Sequence, residues 1–110
     1  MHIDSNDYGY FMIDGKRIDW DIKLVNDEIR HWRDHGLSLD DVKDVVAEKP
    51  ETIIIGIGLS SVVQVSQEIK DYINEAGIEL IILDTASACK KYNELKEKGV
   101  NVAAVLHSTC

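Results

Sequence analysis

Cysteine is nearly missing from this chain. Cys89 and Cys110 are its only two and form no Cys-x-x-C pair, which is too few for a disulfide scaffold. No apolar run reaches membrane-spanning length, and no basic-then-apolar leader stands at the N-terminus, so a cytoplasmic setting without membrane contact is expected. Basic residues are in the minority, 12 against 20 acidic, for a net charge of −8. The deficit is spread along the chain: 7 basic against 12 acidic residues in 1–50, and 5 against 8 in 51–110. Nucleic acid and anionic membrane select basic patches, so neither is an expected partner. A second set of absences concerns chemistry. Gly56-x-Gly58 lacks the third glycine of a dinucleotide fingerprint, no Lys-Ser/Thr pair follows it as in a P-loop, and Gly58-Leu59-Ser60-Ser61 is not a Gly-x-Ser-x-Gly elbow. No complete catalytic constellation and no cofactor motif remains.

What is there describes a fold. The 110 residues suffice for one domain that buries roughly two-thirds of its unfolded surface. Thr52-Ile-Ile-Ile-Gly56 is a short, β-branched, uninterrupted apolar run, as in a strand covered on both faces of a parallel sheet. Before it, Tyr8–Ile13, Asp14-Gly15 and Lys16 onward spell a β-hairpin, because Asp-Gly tolerates the positive φ of a two-residue turn. Residues 1–7 are polar and expected to fray apart from edge pairing. From Arg17 to Lys23 alternation puts Ile18, Trp20, Ile22 and Leu24 on a core face. Arg17, Asp19, Asp21 and Lys23 then fall on a wet one. Residues 26–36 read two ways: a short helix capped by Asn26 and ended by Gly36, or a strand at Glu28–Arg33 after an Asn26-Asp27 turn. The helical version would stack His31 and His35, though two histidines without a third ligand make no metal site.

The second half is regular. Ser38 caps a helix with Asp40 and Asp41 in its first turn, Leu37 stapled to Val42, and Leu39, Val42, Val45 and Val46 inward; Lys49 and Pro50 stop it. A helix at residues 66–76 ends at Gly77, and Ile78–Leu83 follows as a second buried strand, completing a right-handed βαβ unit. Asp84-Thr85 opens a helix to Glu97 with Ala88, Cys89, Tyr92 and Leu95 inward, and residues 100–106 form a last apolar strand. His107-Ser108-Thr109-Cys110 reads as a bland tail; a Cys–His pair three residues apart is no triad. Ligands of open α/β sheets gather beyond the carboxyl ends of strands. The candidate ligand-binding crevice is therefore Gly56, Gly58, Ser60 and Ser61 on one side, and Asp84 and Thr85 on the other. Tyr92 and Asn93 are candidates for its border, although Tyr92 lies on the expected core stripe.

These residues also carry a family resemblance. Gly77–Cys110, with Asp84-Thr85, Tyr92-Asn93, Gly99 and Val102-Ala103-Ala104, resembles the closing block of the Mth938-like domain family. Pro50–Gly58 resembles its central strand and glycine turn, and the Asp14-Gly15 hairpin with Trp32-Arg33 its N-terminal part. Ile57 stands where many members have threonine, so a role for that hydroxyl does not transfer. The resemblance implies a three-layer α/β fold around a mixed sheet, and a strand over Glu28–Arg33. It implies no catalytic residues. Members include the adipogenesis-associated protein and a mitochondrial complex I assembly factor, which implies protein partners. The expectation is thus a non-enzymatic interaction or assembly module of unknown partner, monomeric or weakly homo-oligomeric, without cofactor or metal; the alternative is a ligand-binding protein or enzyme using the crevice.

Overall fold

The computed structural model describes all residues except 33–36, 61–62 and 110. Its element order is β1 (Ile3–Asp7), β2 (Tyr10–Ile13), β3 (Lys16–Asp19), β4 (Ile22–Val25), β5 (Glu28–His31), α1 (Leu39–Ala47), β6 (Thr52–Gly56), α2 (Gln67–Glu75), β7 (Glu79–Leu83), α3 (Thr85–Glu97) and β8 (Val102–Leu106). The first three strands form an antiparallel meander. The other five form a mixed sheet in the order β5-β4-β8-β6-β7, in which β6 runs parallel to both β7 and β8, and β4 antiparallel to β8. This is the α/β fold expected, with its N-terminal hairpin, mixed sheet and helices.

The pleat of the mixed sheet divides the core in two. Ile53 and Ile55 of β6, with Ala103 and Val105 of β8, face α1 and α2, whose Val42, Val45, Ile69 and Ile73 cover them. Ile54, Val102, Ala104 and Leu106 face the other way, onto α3 and the inner side of the meander, among Ala88, Tyr92, Phe11 and Ile13. Thr52–Gly56 is buried throughout, as its β-branched run requires, although β8 rather than β6 holds the middle of the sheet. Both short turns use the left-handed region: φ is 49° and 79° at Asp14-Gly15, and 51° and 60° at Asn26-Asp27. The second turn places Glu28–His31 in a strand, so the helical reading of that segment is corrected. His31 is exposed; His35 lies outside the described residues. Ser38 caps α1, its N–H and hydroxyl both donating to the Asp41 carboxylate.

Three further expectations are corrected. Residues 17–24 are not one amphipathic strand. The chain breaks at Trp20, where φ is 69°, and passes from the meander into the mixed sheet. That break turns Trp20 out to solvent but leaves Ile22 and Leu24 in the core as expected; β4 is covered on both faces, so Lys23, and Asp21 just before the strand, are buried as well. Lys23 Nζ, tucked under α1, donates to the Asp41 carbonyl and pairs with Asp44 at 2.9 Å. Next, β7 is an edge strand, half-buried from Leu80 to Leu83 rather than covered on both sides. Finally, residues 107 and 108 are no tail but part of the buried interior. The edge pairing allowed for residues 1–7 is present as β1, which pairs with β2 and is tied to α3 by Asn93, donating to the Ile3 carbonyl and accepting from the Ile3 N–H.

Candidate functional site

The carboxyl ends of β6 and β8 and the start of α3 meet at one point, and Thr85 is its centre. Its hydroxyl accepts from the Gly58 N–H at 2.9 Å and donates to the His107 carbonyl at 2.7 Å, while its own N–H donates to the Gly58 carbonyl. The His107 N–H donates to the Gly56 carbonyl, and the Ile57 N–H to the Leu83 carbonyl. Glycine is needed at 56 for space. A Cβ there would lie 2.9 Å from Leu106 Cδ2 and 3.2 Å from both Ala88 Cβ and Thr85 Oγ1. At Gly58 it is needed for conformation, since φ is 102°. Asp84 is the N-cap of α3 and accepts from the Ser87 N–H and hydroxyl. Those bonds, which favour the ionised form, hold its carboxyl below the ordinary range.

The fold therefore does bring Gly56, Gly58, Asp84 and Thr85 together. Gly56, Gly58 and Thr85 are buried, and the polar groups of that knot are spent on one another. Asp84 stands half-exposed at its rim, Ser60 is exposed, and Ser61 lies outside the described residues. Tyr92 and Asn93 do not border the crevice. Tyr92 is in the core, where burial pushes its phenol up to about 12, and Asn93 is bonded to β1. Cys89 is the small core residue expected, its thiol pushed up to about 12 by burial, with the Asp84 charge adding to it.

A second junction, which the sequence did not signal, lies beside the first. The buried Asp21 carboxylate accepts from the Ser108 N–H at 2.7 Å and from the Ser108 hydroxyl at 3.0 Å. His107 Nδ1 is 3.2 Å from the same oxygen, and His107 Nε2 is 3.2 Å from Thr109 Oγ1. Trp32 packs its ring 6.2 Å from the imidazole and donates from Nε1 to the Ile22 carbonyl. Carboxylate, imidazole and hydroxyl stand in the order of a hydrolase relay. The relay reading fails on access and on load: His107 is 2% exposed, and the Asp21 oxygen already takes two bonds from Ser108. The arrangement clasps residues 107–109 against the start of β4. Among the described residues, no three His, Cys, Asp or Glu side chains gather closely enough to hold a metal ion.

The clasp supports a surface. Ser108 accepts from the Gly9 N–H, Gly9 accepts from the Trp20 N–H, and Thr109 accepts from the Leu59 N–H. Tyr8, Trp20 and Leu59 are the large hydrophobic side chains exposed among the described residues, and all stand around this one segment. Tyr8 is 64% exposed and Trp20 71%. With Gly9, Arg17, Asp19 and Thr109, Tyr8 and Trp20 line a shallow hollow of about 390 Å³. Sequence reading missed it by placing Trp20 on the core face; the only signal was the run Asp19-Trp20-Asp21, which leaves an indole between two carboxylates.

A family model described as a protein of unknown function (DUF498/DUF598) matches residues 3–107. Among solved structures, an outer membrane protein from Bartonella henselae superposes with a TM-score of 0.89 at 22% identity, over 98% of this chain and 94% of that one. A conserved hypothetical protein from Pyrococcus horikoshii gives 0.84 at 24% identity, over the whole of both chains. A Bordetella pertussis protein described as a Mth938-like domain gives 0.82 at 16% identity, over 97% of this chain and 85% of that one. At these identities the structures speak for the fold alone. No helix among the described residues is long and apolar enough to cross a membrane.

Proposed function

The chain belongs to the Mth938-like, DUF498/DUF598 family, and from that premise we propose that it is a non-enzymatic protein-interaction module whose contact face is the Tyr8–Trp20–Leu59 surface. Trp20 carries the reading. A bulky residue with φ of 69° sits in strained backbone, and a 71% exposed indole recovers little of that cost by burial. Aromatic residues so placed are what protein partners bury at the centre of an interface. Tyr8 lines the same hollow, and so do Arg17 and Asp19, which pair with each other at 2.8 Å and bring both signs of charge beside the aromatic side chains. The partner-binding roles implied by the family resemblance point the same way.

The alternative, a ligand or substrate held between the Gly56–Ser61 loop and Asp84-Thr85, has less support. Its inner groups are buried and bonded to each other, which leaves, among the described residues, the Asp84 rim and Ser60 to recognise anything.

In vivo crosslinking tests the reading. A photoreactive residue in place of Tyr8 is expected to trap a dominant protein adduct that disappears with Trp20→Gly and does not form from the same residue in place of Glu97 on α3. Equal adducts from both positions, or none from Tyr8, would overturn it. A thermal-shift screen of nucleotides and metabolites addresses the alternative: a ligand at about a hundred times its dissociation constant adds roughly 2.7 kcal/mol. A shift abolished by Asp84→Ala would favour the crevice.

A further inference from the structure

Among the described residues the sheets have four edge strands, and three are protected. The β1 edge carries a register irregularity between Ile3 and Ser5 and is bonded to Asn93. On β3 the side chains include Lys16, Arg17 and Asp19, and on β5 they include Glu28 and Arg30, the latter paired with Asp44 and Glu48. Bulges, charge and cover are the usual ways of keeping an edge from pairing. The fourth, β7, reads Glu-Leu-Ile-Ile-Leu and has only Glu79, at one end.

Its backbone is also aimed outward in a specific pattern. The Glu79 N–H donates to Glu51, and the Leu83 carbonyl accepts from Ile57, so the odd-numbered residues turn toward β6. By the strand's alternation, Leu80 and Ile82 present their N–H and C=O groups to the open edge.

We propose that this edge pairs with a second copy of the chain, β7 against β7, antiparallel about a two-fold axis through Ile81. The register is self-complementary. Leu80 opposes the partner's Ile82 and Ile82 opposes the partner's Leu80, so both outward N–H and both outward C=O groups of each strand are satisfied. The side chains agree with it: Leu80 and Ile82 meet their counterparts on the α2 side, Ile81 meets its own on the α3 side, and all are half-buried in the single chain.

Charge selects the occupant. The two Glu79 carboxylates of such a pair lie four residues apart along the strands, about 14 Å, beyond the screening length of roughly 8–10 Å. Over the edge, Lys70 and Asp71 of α2 line a groove of about 520 Å³ together with Leu80 and Ile82. Asp71 and Lys70 stand about 9 and 10.5 Å back along the helix from Gly77, and Ile81 about 10 Å along the strand from Ile78, so the pair is level with the axis. The two-fold axis sets the α2 helices antiparallel, with Lys70 of each facing the partner's Asp71. An unrelated partner strand would gain the backbone bonds but not this reciprocal pair. None of the residues that line this groove belongs to the Tyr8–Trp20 hollow.

Sedimentation velocity of the full chain over a range of concentrations should show a monomer–dimer equilibrium with a dissociation constant on the order of 10–100 μM. Leu80→Pro removes an outward N–H that the single chain does not use, and should weaken association by about tenfold or more. Lys70→Asp, on an exposed helix face, should weaken it without changing the melting temperature, and adding Asp71→Lys should restore it. In a Cys110→Ser background, Ile81→Cys should oxidise to a disulfide dimer, because residues on the axis have Cα atoms about 4.5 Å apart, within disulfide range. The same cysteine placed by Glu28→Cys on β5 should not. A monomer at every concentration up to about 0.5 mM overturns the proposal. So does a dimer that ignores Leu80→Pro and Lys70→Asp, or equal crosslinking from Ile81→Cys and Glu28→Cys.

Discussion

Two junctions hold the carboxyl-end face of this sheet, and they are built from opposite materials. The knot at Thr85 uses one hydroxyl, two glycines and backbone groups; no charge lies inside it. The clasp at Asp21 is a buried carboxylate that takes an N–H and a hydroxyl from Ser108, with an imidazole against the same oxygen. Both act on the same short piece of chain, since Thr85 holds the carbonyl of residue 107 and Asp21 the N–H of residue 108. A neutral knot depends on close approach and fails when a neighbour gains an atom or loses an oxygen. A charged clasp depends on its carboxylate being fully bonded and fails when that carboxylate goes.

The largest expected effect comes from breaking the neutral junction. Thr85→Val keeps the shape but orphans the buried Gly58 N–H and the bond to the His107 carbonyl. At 1–3 kcal/mol for each unsatisfied group, a loss of about 3 kcal/mol is expected from urea unfolding midpoints. Thr85→Ser retains the hydroxyl and should recover most of it.

At the other junction, Asp21→Ala leaves the buried Ser108 N–H without its acceptor while the Ser108 hydroxyl can turn elsewhere, so about 2 kcal/mol is expected by the same measurement. Asp21→Asn keeps an acceptor and should cost less. If the neutral and charged substitutions were equally damaging, the contrast between the junctions would be lost.

The two junctions also differ in how they are written in the sequence. Gly56-x-Gly58 and Asp84-Thr85 are local signals: a strand that runs into glycines, and a polar pair that must cap a helix. Their convergence follows once β6 and β7 are neighbours, so that part of the junction is legible from the residues alone, while the His107 backbone that completes it is not. Asp21 and Ser108 are 87 positions apart, and neither carries a local signal of the other. Asp21 sits in a run whose alternation argues for a wet face. The argument fails at one residue, Trp20, whose left-handed backbone moves the chain from one sheet to the other and into a strand that is buried on both faces. The same break hides the exposed aromatic surface, because it turns out an indole that the pattern assigns to the core. Strands, helices and caps are readable from period and turn chemistry. What joins the two sheets is not, because it depends on a pairing that no short window contains.

Acid sharpens the contrast. At the rim of the neutral knot the titrating group is Asp84, held below the ordinary aspartate value of 3.8 by its bonds from Ser87. A carboxyl depressed in the folded state stabilises the fold above its unfolded value, and that contribution disappears as pH falls through the folded value. The wild-type protein should therefore lose stability below about pH 4. Asp44, drawn down by Lys23 and Arg30 against the opposing effect of its partial burial, and Asp27, drawn down by Lys96, add to the same limb. Asp84→Asn preserves a cap oxygen and removes one titration, so its melting temperature should fall less steeply than the wild type's between about pH 5 and 2.5. Identical slopes would mean that the cap does not feel its own charge.

The smallest expected change is at the residue that separates the junctions from the surface they support. Trp20 makes its structural contribution through the backbone, with its N–H bonded to the Gly9 carbonyl, and its ring projects into solvent. Glycine adopts a φ of 69° without the penalty paid by a side chain, which favours Trp20→Gly. It also enlarges the entropy of the unfolded chain, at about 0.4–1 kcal/mol, which opposes it. The two terms nearly cancel, so stability should shift by no more than about 0.5 kcal/mol in urea unfolding, against roughly 2–3 for Asp21→Ala and Thr85→Val. A large loss would show that the indole holds the fold together and would remove the main support for a contact face at Trp20. An unchanged stability with the crosslinked adduct abolished would separate the two roles: the buried junctions set the shape, and the strained tryptophan beside them meets the partner.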